Sequence, residues 1–235
     1  MKDDNSQKII LDLCGGTGAW SKPYKETGYD VRNITLPDYD VRTYQPPENV
    51  YGILAAPPCQ MFSFARTNAK KPRDLKEGMK CVRACLNIIW QCIKIKQDTK
   101  KKTLPLKFWA LENPYHGFLR RFLGKPAFIF DPWEFGDGYQ KKTALWGYFN
   151  EPERKPVKMS EKMKKLAKTN SYLHIMGNST NRRKPPSIWA KKDLEKFDML
   201  KSKDIHSEMF GKLTRQERRA ITPKGFASAF FRANP

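Results

Sequence analysis

Long apolar runs are missing from this 235-residue chain: no segment approaches the roughly 20 residues that a membrane-spanning helix needs. The opening "MKDDNSQKII" has no apolar core of an export signal, and no amphipathic stretch or lipidation signal accompanies the basic C-terminal third. No membrane partner is expected. The Cys-x-x-Cys pattern is also absent, and the cysteines are five, an odd number: Cys14, Cys59, Cys81, Cys85 and Cys92. Without an export signal, that count reads as reduced thiols in a cytoplasm. Histidine is scarce, with His116, His174 and His206 far apart. A metal centre on Cys81, Cys85 and Cys92 would therefore lack a fourth ligand, and no metal is expected. Those three thiols, at steps of four and seven, read instead as one core-facing helix stripe. No internal repeat exists, and no Gly-Lys-Ser/Thr closes a phosphate loop.

Acidic residues are few beside basic ones. Lys and Arg total 45 against 24 Asp and Glu, a formal charge of +21. Such an excess favours a polyanionic partner, most simply nucleic acid. From Glu151 to Pro235 the net charge is +12, so the C-terminal third is the denser electrostatic surface. The hydrophobic fraction of 39% still supplies a core, which excludes wholesale disorder.

Alternation and apolar runs place the elements. "KIILDL" (Lys8 to Leu13) reads as a buried strand feeding the glycine turn Gly15-Gly16-Thr17-Gly18. "YDVRNITL" from Tyr29 and "VYGILAAP" from Val50 predict two more strands, the latter stopped by Pro57-Pro58. Met79, Val82, Leu86, Ile89, Trp90 and Ile93 recur at helical spacing. "LKFWALENP" and "TALWGYF" (Thr143 to Phe149) return to strands. Strands alternating with helices predict an α/β fold with a doubly wound sheet. Residues 1–150 are expected to form the catalytic domain. A basic region, 151–211, follows, and 212–235 close with a helix that packs back on the sheet. In that last helix Thr222 would cap and Pro223 would occupy the first turn.

Three short motifs carry chemistry. In "DLCGGTGAW" (Asp12 to Trp20) the glycines let a ligand approach the backbone amides. An adenosyl ligand without a diphosphate and a dinucleotide both suit it. In "PPCQMFS" two prolines stiffen the chain before Cys59, presenting a thiol at the C-terminal end of a strand. A thiol reacts as thiolate, so local positive charge matters; Arg66, Lys70, Lys71 and Arg73 follow closely. In "ALENP" a strand ends on Glu112, which would face the same sheet edge as Cys59. Buried there, its carboxyl could stay protonated and donate a hydrogen bond.

"DLCGGTGAWS", "PPCQMFS", "ENP" and "YQKKTALWG", in this order, resemble the cytosine-C5 DNA methyltransferase family, compact and of phage or bacterial type. The likeness spans roughly Ile9 to Gly147. It implies a Rossmann-like class I methyltransferase sheet with a small basic target-recognition region, S-adenosylmethionine as methyl donor, and a cytoplasmic location, that of the host if phage-encoded. It implies a covalent nucleophile in Cys59 and a base-stabilising acid in Glu112. Cofactor contacts would come from Asp12, Cys14, Gly15, Gly16, Gly18, Trp20, Asp40 and Pro57. Substrate contacts would come from Gln60, Ser63, Gln140, Lys142, Arg182, Arg183 and Lys184. The partner implied is DNA, as a duplex with a flipped cytosine or as a single strand, bound by a monomer.

The departures are local. Cys14 stands where an aromatic residue is usual, and Thr35 where an acid would bind the ribose hydroxyls, with Asp38 the nearest substitute. Lys142 and Ala144 replace two alternating arginines, so a point charge stands where a planar fork is usual. Two other readings stay open: the same chemistry on a structured RNA, or a nucleic-acid-binding protein with a degenerate methyltransferase core.

Overall fold

The computed structural model describes residues 4–66, 69–94, 106–137, 141–156 and 220–235. Six strands form one sheet: β1 (Ile9–Leu13), β2 (Asp30–Ile34), β3 (Val50–Ala55), β4 (Phe108–Pro114), β5 (Phe128–Phe130) and β6 (Thr143–Tyr148). Their spatial order is β2-β1-β3-β4-β6-β5. The first four run parallel, and β6 runs against them, pairing antiparallel with both β4 and β5, so the α/β sheet is mixed. β1 and β3 are buried along their whole length, which explains why their sequences run apolar rather than alternate.

Each face of the sheet is covered. On one face lies α2 (Leu75–Lys94), which Asp74 opens by accepting the Glu77 N–H at 2.8 Å. Its buried stripe is Val82, Cys85, Ile88, Ile89 and Cys92, packed on Leu11, Leu13, Ile53, Ala55 and Leu111. The helix is thus turned from the expected stripe: Trp90 is 68% exposed and Ile93 also reaches solvent.

The other face carries α1 (Lys22–Glu26) and α4 (Lys224–Ala233), with α3 (Arg120–Leu123) beyond β4. Phe226 stacks on Phe130 at 3.8 Å, and Phe230 meets Phe108 and Trp20 edge-on. The cap of α4 differs from the expected one. Pro223, not Thr222, holds the cap position, with no side-chain cap bond. The Gly225 N–H donates to the buried Asp137 carboxylate at 2.9 Å instead. A β-carbon on Gly225 would stand 1.9 Å from the Phe135 carbonyl oxygen, so only glycine permits this approach. Among the described residues, no helix is long and apolar enough to cross a membrane.

Candidate active site

Parallel pairing sets the geometry. Leu13 of β1 lies opposite Ala55 of β3, and Ala55 lies opposite Leu111 of β4. The residues just beyond these three positions therefore share one edge of the sheet: the glycine loop after β1, the Pro57-Pro58-Cys59 turn after β3, and Glu112 near the end of β4. Two hydrogen bonds tie the three segments together. Ala56 N–H donates to the Leu13 carbonyl at 2.9 Å, and the Asn113 amide donates to the Pro57 carbonyl at 3.0 Å. Sequence reasoning did not single out Asn113; its signal was its place between Glu112 and Pro114.

The glycine loop is sharply folded. Cys14 has φ +57°, in the left-handed region that a residue with a β-carbon seldom takes. Gly16 and Gly18 follow with φ +56° and +69°. Gly15 closes over Asp12: a β-carbon there would lie 2.4 Å from the Asp12 carboxyl carbon and 2.5 Å from Asn33 Oδ1. Asp12 is fully buried and accepts the Ser21 hydroxyl at 2.5 Å. Burial pushes its carboxyl up to about 6, against the Ser21 bond that holds it down. Asn33, in β2, donates to the Gly16 carbonyl at 3.0 Å and braces the loop from the neighbouring strand. It lies two residues before Thr35, where an acidic residue was sought and none stands.

Cys59 is half-buried and free of any disulfide. Its carbonyl accepts the Phe62 and Ser63 N–H groups at 3.0 and 2.9 Å, which folds "CQMFS" into a tight turn. Phe62 is fully buried and anchors that turn. Beyond it the chain zips to the segment after β4: Ser63 bridges Gly117, Phe64 N–H donates to the His116 carbonyl, and Phe118 N–H donates to the Phe62 carbonyl. Arg73 adds a bond from Nη1 to the Met61 carbonyl at 2.9 Å. The thiol thus rides on a loop fixed at both ends. Gln60 is exposed beside it.

Desolvation raises the Glu112 carboxyl above the ordinary carboxylate range, with Lys141 acting the other way. Such a group favours the protonated, hydrogen-bond-donating form. Cys14 and Cys81 lie on the α2 side of the sheet. The Cys81 hydrogen bond lowers Cys14, but its bond to Cys85 and burial outweigh that, and the Cys14 thiol ends well above its usual value. Cys81 is raised by its bond with Cys14 and by burial. Both stay protonated and pack as core groups.

No protein-family model matches this chain, and no curated protein does. The residues themselves must carry any assignment.

A test of fit against an adenosyl ligand gives a mixed result. The β-carbon position of Gly16 faces open space, and Gly16 and Thr17 are exposed, so the loop backbone is approachable. Asp12, Gly15 and Gly18 shape it from within. Two residues expected to contact the ligand have partners within the chain. The Trp20 ring is buried in the core against Phe226 and Phe230, because α4 covers it. The Asp40 carboxylate is paired with the Arg42 guanidinium, which drives it down to about 2 and occupies both its oxygens. Lys142 is exposed over the Tyr115 ring. Gln140, Arg182, Arg183 and Lys184, with most of the 151–211 region, lie outside the described residues.

Proposed function

We propose that this protein is a DNA cytosine-5 methyltransferase that works through a covalent bond to Cys59. One observation carries the reading: Cys59 and Glu112, from two parallel strands, meet one sheet edge beside an open glycine loop, and Asn113 bonds their segments together. Carbon 5 of cytosine is a poor nucleophile. The Cys59 thiolate adds at carbon 6, and the displaced electron pair makes carbon 5 enamine-like. Glu112, in the protonated form toward which desolvation shifts it, donates to N3 and steadies that form. S-adenosylmethionine supplies the methyl group as an electrophile. A base then takes the carbon-5 proton, the released pair re-forms the carbon 5–carbon 6 double bond, and the Cys59 sulfur leaves as the thiolate. In a duplex the base must first leave the stack.

The test is mechanism-based trapping. DNA bearing 5-fluorocytosine cannot lose a proton at carbon 5, so the adduct should persist in denaturant when S-adenosylmethionine is present. Cys59→Ala should form none. Adduct formation by the alanine variant, or none by the wild type, sinks the proposal. Nucleoside mass spectrometry on DNA and tRNA incubated with the protein separates a DNA substrate from an RNA one.

A further inference from the structure

The loops that frame Cys59 carry a second feature on their outer side. Phe64 meets Phe118 edge-on at 4.9 Å. The guanidiniums of Arg73 and Arg121 lie over that same Phe118 ring, at 5.1 and 5.0 Å. Beside them, Arg120 and Lys142 sit 5.2 Å from the Tyr115 ring. Phe64 is 40% exposed and Phe122 51% exposed. Among the described residues, none of these four cations has a carboxylate within ion-pairing distance. Asp131, half-buried, is the acid whose field reaches Lys142. Arg32 and Arg42, by contrast, are paired with Asp30 and Asp40.

We propose that this face binds an unpaired nucleic-acid strand next to the target base, with phosphates on Arg73, Arg120, Arg121 and Lys142 and bases on Phe64 and its neighbours. The inference deepens the proposed function, since it says how the substrate is held at the same site. Alternating rings and cations match a strand, which repeats one negative charge and one planar apolar face per nucleotide. An acidic peptide would satisfy the cations and leave the exposed rings idle. A duplex would do the same, because its base faces are already closed by stacking.

The test uses the full chain and a 20-nucleotide oligo-dT without S-adenosylmethionine, so that it stands apart from methylation. Fluorescence anisotropy is read across a salt series, against a duplex of equal length and with polyglutamate as competitor. Phe64→Leu should weaken oligo-dT binding about tenfold and duplex binding much less. Phe64→Trp should restore oligo-dT binding. Arg120→Gln combined with Arg121→Gln, both at exposed positions, should flatten the salt slope on oligo-dT by about 1.4, from roughly 0.7 per lost phosphate contact. The proposal falls if Phe64→Trp binds as weakly as Phe64→Leu. It also falls if the leucine variant weakens duplex and single strand equally, if the double glutamine variant keeps the wild-type slope, or if polyglutamate displaces oligo-dT as well as unlabelled oligo-dT does. Loss of methylation with oligo-dT binding intact would strike the proposed function alone.

Discussion

Glu112 shows what a single position can reveal before the fold is known. Its place near the end of an apolar strand, two residues before a proline, was readable; its desolvation was not, because burial depends on the strands that pair around it, β6 among them. Glu112→Gln should cut turnover by about 100-fold or more, as for the loss of a positioned acid, and leave S-adenosylhomocysteine affinity nearly intact in calorimetric titration. A large loss of that affinity would reassign it. The partners of Trp20 and Asp40 were not legible: a helix about 200 residues later for one, Arg42 for the other. Two other carboxyls set a pH dependence. Asp12 and Asp137 are raised by burial from 3.8 to about 6, so between these values the folded chain holds protons that the unfolded chain releases. Their contribution is full below pH 3.8 and is lost as the pH rises through 6, at up to about 3 kcal/mol each. Asp40 works oppositely, but only below 3.8. The urea midpoint should therefore be higher at pH 5 than at pH 7.5. Asp137→Asn, which keeps an acceptor for the Gly225 N–H, should remove about half of that difference.

At the scale of elements, five of the six strands could be found from apolar runs and their stops. β5 could not: "FIF" is three residues long, and only its pairing with β6 makes it a strand. On α2 the cysteine stripe faces the core as its spacing indicates, whereas the stripe of large apolar residues is misplaced by a turn's fraction at Trp90 and Ile93. The cap of α4 was misplaced because its anchor, Asp137, is distant in sequence. That contact makes a prediction of its own. Gly225→Ala would force a methyl into the Phe135 carbonyl, and overpacking against backbone should cost about 2 kcal/mol or more, read as a lower urea midpoint with an unchanged slope. Phe226→Ala, which empties the stack on Phe130, should cost about 3 to 5 kcal/mol.

Across the whole molecule, the charge of +21 is the property most directly legible, and it bears on affinity rather than on fold. If the residues after 151 hold phosphates, replacing Arg182, Arg183 and Lys184 by alanine should flatten the salt slope on duplex DNA by roughly two to three units, with S-adenosylhomocysteine binding unchanged. An unaltered slope would leave those charges a role in solubility only. The mixed sheet was less legible, since the turn to antiparallel pairing at β6 depends on which neighbour β4 meets and not on any local pattern. The seating of α4 has a further consequence, for the order of events during synthesis. The Tyr24 hydroxyl bonds the Asn234 carbonyl and the Tyr51 hydroxyl bonds that of Pro235, closing spans of 210 and 184 residues. Strands β1 and β3 leave the ribosome early, yet the face that α1 and α4 share lacks α4 until residues 224–235 have been made. Native pairing of such range is slow to form, and the waiting sheet is a surface for chaperones and for misassembly. A nascent chain stalled before residue 224 should accordingly be cut rapidly by added protease, and one stalled with residue 235 clear of the tunnel should resist.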